Sequence, residues 1–233
     1  MKRNKFKPGK RITIFFIFFS GLFFSLGLWQ IERGQAKTVI INEFNSNLKK
    51  EPRYLNDESK KWDRVSVEGT WDNSKQIFID NVIYGGIAGY KVLTPLKIQG
   101  SDKLILVDRG WIKRNRSREI LPNIDLQENT IKVSGIIESP ELGLVLSDDL
   151  ITESWPKVSQ TKNPDFLIKE YEESIYNFIL VADPLLKNSL EYIKITPTNM
   201  MPSKHYGYAV QWFSMFFVLC LMYVFYGFKR NAK

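Results

Sequence analysis

The 233-residue chain predicts a membrane protein, with two transmembrane helices flanking an exported, mainly antiparallel β (α+β) domain. Three observations carry this reading. Two uncharged apolar runs stand near the ends, at residues 12–31 and 207–228. An excess of basic residues lies outside them. Between them, short stretches of alternating apolar and polar residues are separated by turn-forming residues.

The first run, ITIFFIFFSGLFFSLGLWQI, has twenty residues, and the second, GYAVQWFSMFFVLCLMYVFYGF, has twenty-two. At 1.5 Å per residue each reaches about 30 Å, the thickness of a bilayer's hydrocarbon core. Lys2, Arg3, Lys5, Lys7, Lys10 and Arg11 precede the first run, and Lys229, Arg230 and Lys233 follow the second. The other 24 basic residues lie between Glu32 and Lys204 with all 25 acids, so the formal charge of +8 resides at the termini.

By the positive-inside rule, residues 1–11 and 229–233 are cytoplasmic and residues 32–206 are exported. Basic flanks beside bilayer spans suit anionic lipid headgroups, so the net charge gives no reason to expect nucleic-acid binding. The first run exceeds the apolar core of a signal peptide. Gly34-Gln35-Ala36 only weakly resembles a cleavage site, so an uncleaved anchor is expected. Eleven residues before the span are too few for a transit peptide, and a bacterial inner membrane is the expected location. Cys220, the sole cysteine, lies in the second run, which excludes an intramolecular disulfide, a CxxC pair and covalent c-type haem attachment.

The middle reads mostly as strands, whose spacing points to an antiparallel sheet or a barrel-like β domain. Val65, Val67, Gly69 and Trp71 alternate with Ser66, Glu68 and Thr70; Tyr90, Val92, Leu96 and Ile98 share a parity; residues 104–107 form a continuous buried run; Ile131, Val133 and Ile137 alternate with Lys132 and Ser134. Turns are expected at Asp72-Asn73, Gly85-Gly86, Gly100-Ser101-Asp102, Pro122-Asn123 and Pro140-Glu141. Residues 39–50 carry helical spacing and continue the first span. Asn163 can cap a helix that starts at Pro164 and runs to about Ser174. Gly21, Ser25 and Trp29, four apart on the first span, would let a neighbouring helix approach closely.

Candidate chemistry is sparse. The middle lacks cysteine and, apart from His205 at its end, histidine, so no conventional nucleophile–base pair or histidine–cysteine metal cluster is available, and no enzyme activity is expected. Gly85-Gly86-Ile87-Ala88-Gly89 lacks the lysine and helix of a phosphate loop and reads as a hairpin turn. Asp108-Arg109-Gly110-Trp111 reads as a turn at a strand end. Lys113, Arg114, Arg116 and Arg118 read as a solvated loop, or as a contact for lipid headgroups or an acidic partner.

His205, the only histidine, falls in the first turn of the second helix, at the outer interface. At 100° per residue, Tyr208, Ala209, Trp212, Phe216 and Leu219 lie within about 60° of its face. Three readings follow from these residues: a headgroup-level anchor, a haem ligand with the ring against Tyr208 and Trp212, or a copper ligand with Met200 and Met201. Gln30 and Gln211 are placed for a polar bridge or a ligand contact. Arg33 can pair with Glu32 or with an anionic group such as a propionate.

LGLWQIERGQAK at 26–37, VSVEGTW at 65–71, GIAGYKVLTPL at 86–96, VDRGWI at 107–112 and HYGYAVQWF at 205–213 resemble, in order, the signature blocks of the Surfeit locus protein family. These proteins are assembly factors of cytochrome c oxidase. The resemblance implies a two-span inner-membrane chaperone of the respiratory chain that aids formation of the haem a centre in subunit I. It implies transient binding of haem a with His205 as the iron ligand, and release to the oxidase. It names cytochrome c oxidase subunit I as partner and leaves haem a synthase open as a second. The competing reading is a scaffold for a subunit I intermediate that binds no haem.

Overall fold

The computed structural model describes residues 6–116, 120–124, 130–138, 151–161, 163–186 and 189–229. Lys2, Arg3, Lys5, Ser117, Arg118, the Pro140-Glu141 turn, Arg230 and Lys233 lie outside that set. The described chain forms two compact units, one made of Met1–Phe44 with Thr196–Lys233, the other of Asn45–Ile195.

The first unit contains helix α1 (Lys10–Leu48), whose last turn passes into the second unit, and a C-terminal helix, α3 (Pro202–Lys229). Both are long and apolar enough to cross a membrane. α1 has 39 residues and extends about 25 Å past its apolar run, in keeping with helical spacing through residues 39–50. Pro202 opens α3, where its missing N–H and fixed φ cost nothing.

Among the described residues the second unit has eight strands: β1 (Arg53–Tyr54), β2 (Arg64–Trp71), β3 (Ile77–Tyr84), β4 (Ile87–Ile98), β5 (Leu104–Lys113), β6 (Ile131–Glu138), β7 (Lys157–Ser159) and β8 (Ile175–Ala182). The sheet runs β1-β2-β6-β8-β5-β4-β3-β7, and β4 pairs back onto β2 with Trp71 opposite Leu96. Strands β2, β6, β8, β5 and β4 therefore close into a barrel, which removes the free edges an open sheet would expose. Most pairings are antiparallel; β1–β2, β3–β7 and β5–β8 are parallel.

Alternation decides what fills the barrel. Val65, Val67, Trp71, Leu96, Ile105, Val107, Val133 and Ile137 point inward with Leu180 and Ala182. The residues between them on β4 and β5 face outward but are still buried. Leu93, Leu104 and Leu106 pack with Ile77, Ile79, Leu167 and Tyr171 in a satellite core under a short helix. That second layer explains the continuous apolar run at 104–107, since both faces of β5 are covered.

The short helix differs from expectation. Asn163 Oδ1 accepts from the Asp165 N–H at 3.0 Å, as a cap should, but α2 covers only Pro164–Leu167 and passes into a 3₁₀ turn at Ile168–Glu170. Tyr171 then turns extended, buries its ring in the satellite core and donates its hydroxyl to the Lys75 carbonyl at 2.8 Å. Tertiary packing of one tyrosine thus ends the helix before Ser174.

Gly85 and Gly86, at φ +57° and +78°, make the tight β3–β4 turn, which needs positive φ at both positions. Gly135 serves differently, because a Cβ there would lie 2.1 Å from the Val181 carbonyl oxygen on β8. Relief requires two paired strands to separate. Gly135→Ala is expected to cost about 2–3 kcal/mol, read as a lower urea midpoint by tryptophan fluorescence of the full chain in detergent. Gly21→Ala, in a helix position with open space, should not lower it.

Candidate functional site

In the first unit α1 and α3 run antiparallel. Phe16 stacks on Tyr223 at 4.1 Å, Thr13 and Tyr223 share a hydrogen bond of 3.0 Å, and Phe24 meets Phe213 and Phe216. The close approaches are at Gly27 and Gly34. A Cβ on either would fall 2.7 Å from a ring atom, of Phe213 or Tyr206 respectively. On α1 the close approaches are therefore at these two, seven apart, and not at Gly21, Ser25 and Trp29. A Cβ on Gly21 would meet nothing within 4 Å among the described residues, and Ser25 and Trp29 are exposed. A repeat of seven keeps one face in contact over successive turns, whereas a repeat of four drifts off it.

His205 and Gln30 meet where both apolar runs end. The imidazole Nδ1 lies 2.8 Å from Gln30 Oε1, and the histidine is only 8% exposed. A carboxamide oxygen only accepts, so Nδ1 is the donor in this contact, and in the neutral imidazole that leaves the lone pair on Nε2. Nε2 is buried and has no hydrogen-bond partner among the described residues. Leaving an acceptor in that condition costs about 1–3 kcal/mol, so it calls for an explanation. An imidazole whose one nitrogen donates to an oxygen while the other presents a bare lone pair is the arrangement found at metal-ligating histidines.

The remaining candidates are placed unequally. Ala209 is buried in the helix pair, and the Trp212 ring packs 5.8 Å from Phe23, so that part of the stripe serves the seam. Tyr208 is 44% exposed and Gln211 is exposed. Gln30, not Gln211, makes the polar bridge, because Gln211 is six residues beyond His205 and turns away from α1. Arg33 is exposed one turn beyond Gln30, and no ion pair joins it to Glu32 among the described residues. Met201 is half exposed, and no group of three or more histidine, cysteine or carboxylate side chains gathers among the described residues.

In the second unit three of the quoted sequence blocks converge. A bulge between Lys91–Leu93 on β4 and Asp108–Trp111 on β5 re-aims the side chains there. Lys91 Nζ donates to Asp108 Oδ2 at 2.5 Å, and Asp108 Oδ1 accepts from the Gly110 N–H at 2.9 Å. Gly110, at φ +114°, brings its backbone against Glu191, and the Trp111 ring fills the space a Cβ on Gly89 would need. Arg109 is buried, with its guanidinium 5.7 Å from the centre of the Trp71 ring. Burial pushes Arg109 down to about 10. For Lys91 burial also opposes the charge, but the Asp108 carboxylate outweighs it and holds the ammonium above its ordinary value. A charged residue inside an apolar strand was the available signal for this pair. Its partner was not legible, because the bulge sets it.

The SURF1 family model matches residues 17–217, from the first apolar helix into the second. A SURF1-like protein of Rickettsia felis is 29% identical over 222 residues, covering 89% of this chain and 92% of that protein. A second, from Rickettsia conorii, is 26% identical over 228 residues, covering 92% and 90%. The cytochrome oxidase assembly protein SHY1 of Saccharomyces cerevisiae is 27% identical over 146 residues, covering 57% of this chain and 37% of SHY1. The match takes in the Gln30–His205 pair, both apolar helices and the barrel between them, and the chain belongs to the SURF1 family.

Proposed function

We propose that this protein is an inner-membrane assembly factor of cytochrome c oxidase that holds haem a through His205 Nε2 and releases it to subunit I. Family membership and the name of SHY1 support the assembly role. The observation that carries the haem reading is the orphaned Nε2, kept as a lone pair by the Gln30 contact on Nδ1.

Haem a supplies the redox-active iron, and the chain's residues supply its binding. His205 would ligate, Gln30 would fix the tautomer, and Arg33 would offer its charge to a propionate. Trp212, engaged with Phe23, would back the histidine's helix rather than move, while Tyr208 and Gln211 stand exposed on the faces beside it. One imidazole gives a weaker hold than the two that a bis-histidine centre provides, so release is downhill once the client offers its own ligands. The termini face the cytoplasm and the β domain the exported side, by the distribution of Lys and Arg. Catalysis of bond-making is not part of this role.

The full chain, purified in detergent from cells that make haem a, should carry a Soret band and a pyridine haemochrome signal. His205→Ala should reduce both at least tenfold while helicity by circular dichroism is unchanged. Equal pigment in the two proteins, or none in either, would refute the carrier role. One observation favours a scaffold instead: Trp212 and Phe216 are used in the helix seam, where a Gln30–His205 bond could act as a clamp. In that case His205→Ala loosens the pair and no pigment is seen at any stage.

A further inference from the structure

The β3–β4 hairpin ends in an apolar tip that neither barrel core absorbs. Ile83 is 71% exposed and Ile87 45%, and Tyr84 beside them is also exposed. The tip is held stiffly. Gly85 and Gly86 make a tight two-residue turn, Trp111 Nε1 donates to the Val82 carbonyl at 2.9 Å, and the Tyr84 ring rests on Trp111 at 5.5 Å. A hairpin backbone held in this way loses little further entropy on contact.

Basic residues line the same end. Lys113 lies opposite Gly89 in the β4–β5 ladder, and the Arg114 N–H donates to the Ala88 carbonyl at 3.3 Å. Lys113 and Arg116 are exposed, while Arg114 sits 3.8 Å from Asp80. Ile120, also exposed, is brought back beside the basic run by the Asn115 side chain, which donates to its carbonyl at 2.9 Å.

We propose that this hairpin is an interfacial finger that places Ile83, Tyr84 and Ile87 in the headgroup region of an anionic bilayer, with Lys113 and Arg116 on lipid phosphates. Apolar and aromatic side chains beside lysine and arginine are the composition that such a boundary favours. Size argues for a membrane over a protein. Three or four side chains fall far short of the about 800 Å² per partner that a stable protein interface buries. A tethered contact needs far less affinity, because both chain ends of the barrel run into apolar helices that hold it at high effective concentration beside the bilayer. The finger rests on the membrane reading of those helices and is independent of haem.

The test uses the full chain with Cys220→Ser, reconstituted into vesicles of zwitterionic and anionic lipid. Single cysteines replace Ile83, Asp102 or Leu221 and carry an environment-sensitive fluorophore. Asp102 lies in the turn at the other end of the twelve-residue β4, and Leu221 is exposed on α3. Nitroxide lipids should quench the probes at 83 and 221, and aqueous iodide the one at 102. Lys113→Glu with Arg116→Glu should lower quenching at 83 at least threefold and leave 221 unchanged. Iodide quenching at 83 equal to that at 102, with 221 still lipid-exposed, overturns the finger alone. Loss of lipid quenching at 221 overturns the membrane reading and the finger with it. Shielding at 83 that arises only when oxidase is co-reconstituted assigns the surface to a protein and overturns the proposal.

Discussion

Asp108→Ala is expected to destabilise the β domain by about 3–5 kcal/mol, the cost of leaving one member of a buried ion pair without its partner. Asp108 is buried and Lys91 nearly so, and their bond is 2.5 Å long. The substitution also removes the acceptor for the Gly110 N–H, at the β4–β5 bulge where Gly110 holds a φ of +114°. Asp108→Asn keeps that acceptor and should cost less. Adding Lys91→Met to Asp108→Ala should recover most of the loss, because the uncompensated charge goes with it.

The pH dependence follows from the direction of the Lys91 shift. In the native chain its value is raised, so its contribution is complete below the ordinary lysine value and is lost as pH rises through the raised one. In Asp108→Ala burial, the largest cause, is opposed only by the lesser charge effects of Glu138 and Tyr192. The folded value then falls below the unfolded one, and the penalty is present at neutral pH and relieved in alkali. The gap between the two proteins should therefore narrow as pH rises through about 10.5, the unperturbed lysine range. Urea midpoints of the detergent-solubilised chain at pH 7 and pH 10.5 measure it, and a gap that does not narrow removes Lys91 as the cause.

The helices and the strand alternation were legible in the sequence because each depends on local periodicity and on charge bias at the ends. Val65, Val67 and Trp71 face one way whichever strands flank them, and the barrel needs that. A barrel-like domain was one of the two readings the spacing allowed, but the pairing that closes it was not legible. Closure depends on Gly69 and Trp71 meeting Ile98 and Leu96 from a strand beyond the intervening β3, and on the parallel β5–β8 pairing that no local pattern announces. The candidate site divides in the same way. His205 stood out as the lone imidazole at the edge of an apolar run, and Gln30 as a polar residue at matching depth. Tyr208, Trp212 and Gln211 were placed by a helical wheel alone, which cannot tell that Phe23 occupies the space beside Trp212 or that α1 lies on the side away from Gln211.

In the proposed haem carrier Gln30 would act through His205, and that would give it a signature a merely structural residue lacks. With Gln30→Leu the Nδ1 proton loses its acceptor, the tautomer is no longer fixed, and haem a affinity should fall by about 10–100-fold. Gln30→Glu keeps an acceptor at the same reach and makes it anionic. Pigment should be retained, and a more electron-rich imidazole should move the reduction potential of the bound haem to a more negative value. A seam clamp predicts otherwise, since Gln30→Glu would preserve the helix contact without any potential to shift, and Gln30→Leu would weaken the pair without loss of pigment. Redox titration of the two variants beside the native chain separates these outcomes. An unchanged potential in Gln30→Glu, with pigment bound through His205, would mean that the 2.8 Å contact orients nothing the iron can feel.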